Sequence, residues 1–254
     1  MSFFANGFAW YLLLSTFQCY YVKIMNQNFV FSPPSASGIP IHNQDKSYPV
    51  RRIYCVGRNY TAHAREMGKD PTKEPPFFFN KQPDNIVPNG GLVAYPPGTN
   101  ELHYEAELVV ALRGGGLNIP ADNALKHVFG YAVGIDLTRR DLQSEAKKMG
   151  RPWDFSKSFE QSAPISYIFP ADTVPYPIEG QLTLKVNGVL KQNGMLSDMI
   201  WGISDIISYL STFHAVKEGD IIFTGTPAGV GPAVRGDKIT ASISGLTDLK
   251  IEIV

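Results

Sequence analysis

Only two cysteines, Cys19 and Cys55, occur in 254 residues. They are too few and too isolated for a disulfide framework or a thiolate metal site, which fits a reducing compartment. Charge of either sign is not in excess: 23 Lys and Arg stand against 23 Asp and Glu. That balance provides no basic field for nucleic acid and no acidic tail. Arginine is absent before Arg51, and no charged residue precedes Lys23. Residues 1–22 therefore lack both the basic n-region of a signal peptide and the arginines of a transit peptide. Their length approaches the ~20 residues of a membrane span, but Asn6, Gly7, Ser15, Thr16 and Gln18 make it a poor one. We read residues 1–24 as an apolar extension before a start at Met25, dispensable for fold and catalysis, and expect no membrane attachment. Internal repeats are also missing. The "TGTPAGVG" loop, Thr224 to Gly231, has no Lys-Ser/Thr partner and no following helix, so it is neither a P-loop nor a dinucleotide fingerprint. A tight turn offering backbone N–H groups to a pocket suits it better.

What is present is an ordinary globular composition, 44% hydrophobic and 18% charged, with 23 glycines and 19 prolines spread along the chain. Such a chain can bury a full core, and its punctuation favours many strands and turns over a helix bundle. Residues 25–49 are expected to form an extended Pro/Ser-rich arm, and residues 50–254 the catalytic domain. Within the domain, "RRIYCVG", "PPFFFNK", "ELHYEAELVVALRGGG" and "HVFGYAVGIDLT" read as strands, the third as one long strand. "LTLKVNGVLKQ" reads as a hairpin around Asn187–Gly188. The stretch after Asn59 or Thr61, taken as N-cap, reads as a helix stopped at Gly68. "TRRDLQSEAKKMG" reads as a helix with Thr138 and Asp141 as a capping box, Lys147 and Lys148 in its last turn and Gly150 as its stop. Ile203, Ile206, Ile207 and Leu210 follow helical spacing. The class is a β-rich α+β domain with few short helices.

The candidate chemistry begins at "LHYEAELVV". In an alternating strand His103, Glu105 and Glu107 share one face. Two acids on a strand are ordinarily a solvated surface, but here Val109, Val110 and Leu112 follow at once, and charges entering a buried strand need partners. Two carboxylates side by side do not ionise together unless something positive lies between them. A hard divalent cation would serve, with Asp136 at the end of "YAVGID" as a third oxygen ligand. Oxygen donors alone suit Mg2+ or Mn2+, admit Ca2+ and disfavour zinc. His63 and Glu66, one helical turn apart, form a pairing that orients an imidazole base; otherwise they are surface groups. Lys157, set among aromatics in "WDFSKSFEQSAP", is either a surface lysine or a cation offsetting an anion near the metal.

These residues fall in ordered motifs: "YCVGRNYTAHAREMG", "PPFFFNKQPDNIV", "HYEAELVV", "GYAVGIDLTRRDLQ", "DFSKSFEQSAPI", "NGVLKQNG", "ISDIISYLS" and "EGDIIFTGTPAGVGP". In that order, over residues 48–254, the chain resembles the fumarylacetoacetate hydrolase family, and within it the small acylpyruvate and fumarylpyruvate hydrolases. The resemblance implies a mixed-sheet roll or barrel-like fold of the family's C-terminal domain type. It implies a Mg2+ or Mn2+ ion on Glu105, Glu107 and Asp136, catalytic His63, Glu66 and Lys157, and substrate contacts from Arg58, Lys81, Gln161 and Thr226. It also implies a cytoplasmic homodimer acting on a 2-oxo or 2,4-diketo acid, with fumarylpyruvate cleavage in gentisate breakdown as the leading activity. Oxaloacetate decarboxylation, unsaturated diacid isomerisation and a catalytically silent binding role are the alternatives. His103–Tyr104 departs from the His-His common before the acidic pair, and Met195–Leu196 replaces more polar residues.

Overall fold

Turn chemistry divides the apolar runs into short strands. The computed structural model describes residues 29–61, 74–174 and 179–254. Two compact units divide the chain, Met1–Ser35 and Ala36–Val254; the described residues of the first, 29–35, are exposed and irregular. In the second, the strands are β1 Gly38–Pro40, β2 Ser47–Pro49, β3 Arg52–Gly57, β4 Phe77–Lys81, β5 Ile86–Pro88 and β6 Gly91–Val93. Next come β7 Leu102–Tyr104, β8 Ala106–Leu112, β9 Val128–Ile135, β10 Thr138–Arg139, β11 Ala163–Ile165 and β12 Phe169–Pro170. The last are β13 Gln181–Val186, β14 Val189–Met195, β15 Asp220–Phe223, β16 Gly231–Ala233, β17 Lys238–Ile243 and β18 Leu249–Ile253. Four α-helices lie among the described residues: α1 Ala121–Ala124, α2 Arg140–Met149, α3 Asp154–Lys157 and α4 Ile203–Phe213.

The central sheet runs β4-β3-β15-β8-β9-β11-β5, with β12 on β9; a second runs β14-β13-β17-β18-β6 and a third β10-β7-β16. Parallel and antiparallel pairs mix in the central sheet, β3 with β15 being parallel and β8 with β9 antiparallel. One face of the central sheet, including Val56, Leu108, Val110, Val133 and Ile135, shares a core with the second sheet and with the Ile203–Ile207 face of α4. The opposite face, with Ile53, Cys55, Val109 and Phe223, packs on Ile39, Ile41 and Tyr48. Burial on both faces explains why β8 is apolar at nearly every position instead of alternating.

Three expectations change. The arm over residues 25–49 is not extended throughout: β1 and β2 form a hairpin whose Ile39 and Tyr48 are buried. The Tyr48 hydroxyl bonds the Leu112 and Asp220 carbonyls at 2.6 and 2.9 Å, so the hairpin is pinned to the central sheet. The long strand predicted over "ELHYEAELVV" breaks at Glu105, because β7 pairs with β10 and β16 while β8 pairs with β9 and β15. The capping box at Thr138 does not form: Arg139 is the N-cap, and the Thr138 hydroxyl meets Lys157 instead. Asn187 and Gly188 do make the hairpin turn, both at positive φ, and Gly150 at φ 65° stops α2.

Candidate active site

The register of β8 on β9 builds the site. Ala106 pairs with Ile135, so the next residues outward, Glu105 and Asp136, are neighbours, and the Asp136 N–H donates to the Glu105 carbonyl at 2.8 Å. Glu107 lies opposite Gly134, where a Cβ would stand 2.6 Å from both Phe223 and Val109. Glu105, Glu107 and Asp136 are all buried, and one carboxylate oxygen from each lies within 4.8 Å of the others. Residues far apart in the chain thus form a compact, oxygen-only donor set that fits a divalent cation.

Cations surround this triad. Lys157, carried on the short turn α3, gives all three of its donors to protein: Glu105 at 2.8 Å, Asp136 at 2.6 Å and Thr138 at 2.7 Å. Burial alone would lower its pKa, but Asp136 and Glu105 outweigh it and hold it above the usual lysine value. Lys81, at the end of β4, lies 2.8 Å from Asp136 Oδ1 in an ion pair without an aligned hydrogen bond. Its donors go to the Leu137 and Lys157 carbonyls. Arg140 pairs with Glu105 and gives a further hydrogen bond to Gln143 Oε1 at 2.5 Å. His103 faces Arg140 Nε at 3.4 Å, and burial followed by that positive charge pushes its pKa down to about 4.

Glu107 is the exception. Its Oε2 accepts the Gly225 N–H at 2.7 Å, and no ion pair with it is formed among the described residues. Gly225 has φ +97°, and a Cβ there would stand 2.7 Å from Asn59 Cβ, which explains glycine in the "TGTPAGVG" loop. Burial, then Asp136 and Glu105, hold the Glu107 carboxyl well above the usual carboxylate range. A carboxyl raised in the folded state contributes stability below the ordinary glutamate pKa and loses it as pH rises through the folded value. A cation competes with that proton. Mn2+ affinity is therefore expected to climb with pH, with proton release on binding, measured by calorimetry in buffers of different ionisation enthalpy. A flat affinity between about pH 5 and 8 would contradict this.

A small cavity of about 30 Å³ opens beside the triad, with Arg58, Glu105, Glu107, Lys147, Lys157 and Thr226 in its wall. Of the site residues predicted from sequence, Arg58, Glu105, Glu107, Asp136, Lys157 and Thr226 come together. Arg58 adopts φ 60°, a left-handed conformation that costs a non-glycine residue energy; its Nη1 donates to Glu74 at 3.2 Å, while its buried Nε has no hydrogen-bond partner among the described residues. Lys81, predicted to contact substrate, is instead fully buried behind Asp136. Gln161 does not line the cavity; its Oε1 accepts the Ala94 N–H at 2.7 Å. His63 and Glu66 lie outside the described residues. Asn59, read as a helix cap, spends its amide on the backbone of Trp201 and Thr224.

Sequence reasoning missed Gln192. Fully buried, it accepts the Ala106 N–H at 2.9 Å and donates to Thr226 Oγ1 at 2.7 Å, while Thr226 donates to the Ala106 carbonyl at 2.8 Å. Together they hold the residue between the two glutamates. Arg140, Gln143 and Lys147, at steps of three and four on α2, also line the cavity; that spacing was the readable signal.

Residues 52–254 match the family described as fumarylacetoacetate (FAA) hydrolase C-terminal. The chain belongs to the fumarylacetoacetate hydrolase family. It is 42% identical to a fumarylpyruvate hydrolase from Ralstonia sp over 189 residues, covering 74% of this chain and 98% of that one. Identity to the mitochondrial oxaloacetate tautomerase of Homo sapiens is 43% over 203 residues, 80% of this chain and 91% of the other. The crystal structure of fumarylpyruvate hydrolase from Pseudomonas aeruginosa, in complex with Mn2+ and pyruvate, superposes with TM-score 0.87 at 47% identity, covering 89% and 99% of the two chains. Among the described residues no helix is long and apolar enough to cross a membrane.

Proposed function

We propose that this protein is a divalent-metal-dependent hydrolase that cleaves the carbon–carbon bond of a 2,4-diketo acid, with fumarylpyruvate as substrate and fumarate and pyruvate as products. The observation that carries the reading is the charge arrangement. Lys81, Lys157 and Arg140 already pair with Glu105 and Asp136, so a bound divalent cation, with Glu107 alone left for it to neutralise, leaves net positive charge in the cavity wall that Lys147 also lines. The oxygen-rich anionic end of a 2-oxo acid complements it. Similarity to fumarylpyruvate hydrolases supports the acyl group chosen. We take the ion as Mg2+ or Mn2+, the assembly as a homodimer and the compartment as the cytoplasm.

When bound, the cation supplies Lewis-acid polarisation of the 2-oxo acid end. Lys157 and Lys81 pair with Glu105 and Asp136 and aim them, Arg58 and Thr226 orient the substrate, and His63 with Glu66 removes a proton from the attacking water. Collapse of the resulting adduct breaks the carbon–carbon bond to give a carboxylic acid and the enol of pyruvate. His63→Ala or Glu66→Ala is expected to lower hydrolysis by on the order of 10²-fold while leaving Mn2+ affinity near wild type. Equal loss of Mn2+ binding would make them ligands instead.

Oxaloacetate tautomerisation or decarboxylation is the second reading, favoured by the 43% identity to the human mitochondrial tautomerase; neither needs an attacking water. Fumarylpyruvate, acetylpyruvate and oxaloacetate, assayed side by side with Mg2+, with Mn2+ and with chelator, test the choice. Fastest loss of the fumarylpyruvate absorbance, abolished by chelator, is expected. Turnover of oxaloacetate alone would overturn the hydrolase reading, and full activity in chelator the metal.

A further inference from the structure

Gln192 is the one residue of β14 that is buried, and its partners fix which way its amide points. The Ala106 N–H can only donate, so the Gln192 oxygen faces it at 2.9 Å; the Pro227 carbonyl can only accept, so the amide NH2 faces it, also at 2.9 Å. The same NH2 lies 2.7 Å from Thr226 Oγ1, which therefore accepts from it. Thr226 Oγ1 also lies 2.8 Å from the Ala106 carbonyl, another group that can only accept. The single hydroxyl proton of Thr226 is spent there. What the Oγ1 has left is a lone pair, on a residue that lines the cavity beside the triad.

This polarity resists reversal. Turning the Thr226 proton toward the cavity strips the Ala106 carbonyl of its donor, and Ala106, Gln192 and Thr226 are all buried, where an unmade hydrogen bond costs most. The loop has no slack for another pose, since a Cβ at Gly194 would stand 2.7 Å from Pro227 Cβ. An acceptor in the wall distinguishes two forms of one acid. A keto or carboxylate oxygen carries no proton and meets the lone pair unfavourably, whereas an enol carries a hydroxyl in the same place and is held. Cleavage of a 2,4-diketo acid releases an enol, and tautomerisation interconverts enol and keto forms, so the distinction bears on both readings of the activity.

We infer that Gln192 fixes the Thr226 hydroxyl as a hydrogen-bond acceptor toward the cavity, and that Thr226 thereby holds the enol form of the 2-oxo acid in preference to the keto form. The inference rests on the triad as a metal-dependent 2-oxo acid site, and it makes Gln192 a positioning residue that acts through Thr226. Glycolate and oxalate, both two-carbon acids, are the probes: the first presents a hydroxyl beside its carboxylate, the second at neutral pH only unprotonated oxygens. Each is titrated by calorimetry into the Mn2+-loaded full chain, as wild type, Thr226→Val, Thr226→Ser and Gln192→Met. Thr226→Val is expected to weaken glycolate on the order of 10-fold and to leave oxalate unchanged or tighter, while Thr226→Ser retains both wild-type affinities. Gln192→Met frees the Thr226 proton and is expected to weaken glycolate while tightening oxalate. A loosened loop alone would weaken both. Parallel weakening of the two acids in Thr226→Val or Gln192→Met, weakening of oxalate alone, or a wild-type pattern in Gln192→Met overturns the inference, as does failure of the wild type to bind either acid. Neither probe is a 2,4-diketo acid. Absence of fumarylpyruvate cleavage with the glycolate and oxalate responses as expected would therefore refute the hydrolase reading and leave the role of Thr226 standing.

Discussion

Glu107→Gln is expected to abolish Mn2+ binding and lower kcat/KM by on the order of 10³-fold, while leaving the metal-free protein at least as stable as wild type. The two halves have one cause. Glu107 is buried with Glu105 and Asp136 within reach of the same ion, yet those two have lysine or arginine partners and Glu107 has a backbone N–H. Its charge is the one in the triad that a cation must neutralise. An amide in its place keeps an oxygen for the Gly225 N–H and cannot ionise, so the metal-free protein avoids the cost of a buried, unpaired carboxylate as pH rises. The several kcal/mol of Lewis-acid stabilisation are lost with the ion, each 1.36 kcal/mol being tenfold in rate. Thermal unfolding in chelator and Mn2+ titration check both halves. Turnover near wild type, or a marked fall in chelator Tm, would refute the account.

Lys157→Met should do the opposite to stability. Lys157 is the shared cation of Glu105 and Asp136 and a donor to Thr138, and breaking a buried ion pair from one side costs about 3–5 kcal/mol. For a domain of this size that is a fall in Tm of roughly 6–20 °C in chelator. Mn2+, which binds the folded triad, should restore part of it in proportion to its concentration. Turnover with Mn2+ should still fall on the order of 10²-fold or more, because Glu105 and Asp136 lose the group that aims them. A chelator Tm equal to wild type would show that the three hydrogen bonds contribute no net stability.

The local pattern of the sequence determined several features without help from the rest of the chain. Period-two spacing put Glu105 and Glu107 together, Asn187–Gly188 specified the hairpin turn, Gly150 ended α2, and the isoleucines of α4 marked its buried face. Each depends on backbone geometry within a few residues, and the ordered motifs carried the family. Only the tertiary structure decided which long-range partner each side chain met. It sent the Thr138 hydroxyl to Lys157 in place of a helix cap, turned Gln161 onto Ala94, put Lys81 behind Asp136, and made Gln192 the support of Ala106. It also broke the predicted strand at Glu105, where the chain passes from one sheet to another. A hydrogen-bonding side chain is equally content with any partner of the right sign and reach. Periodicity says which way it points, whereas the register of β8 on β9, set by residues nearly thirty positions apart, says what is waiting there.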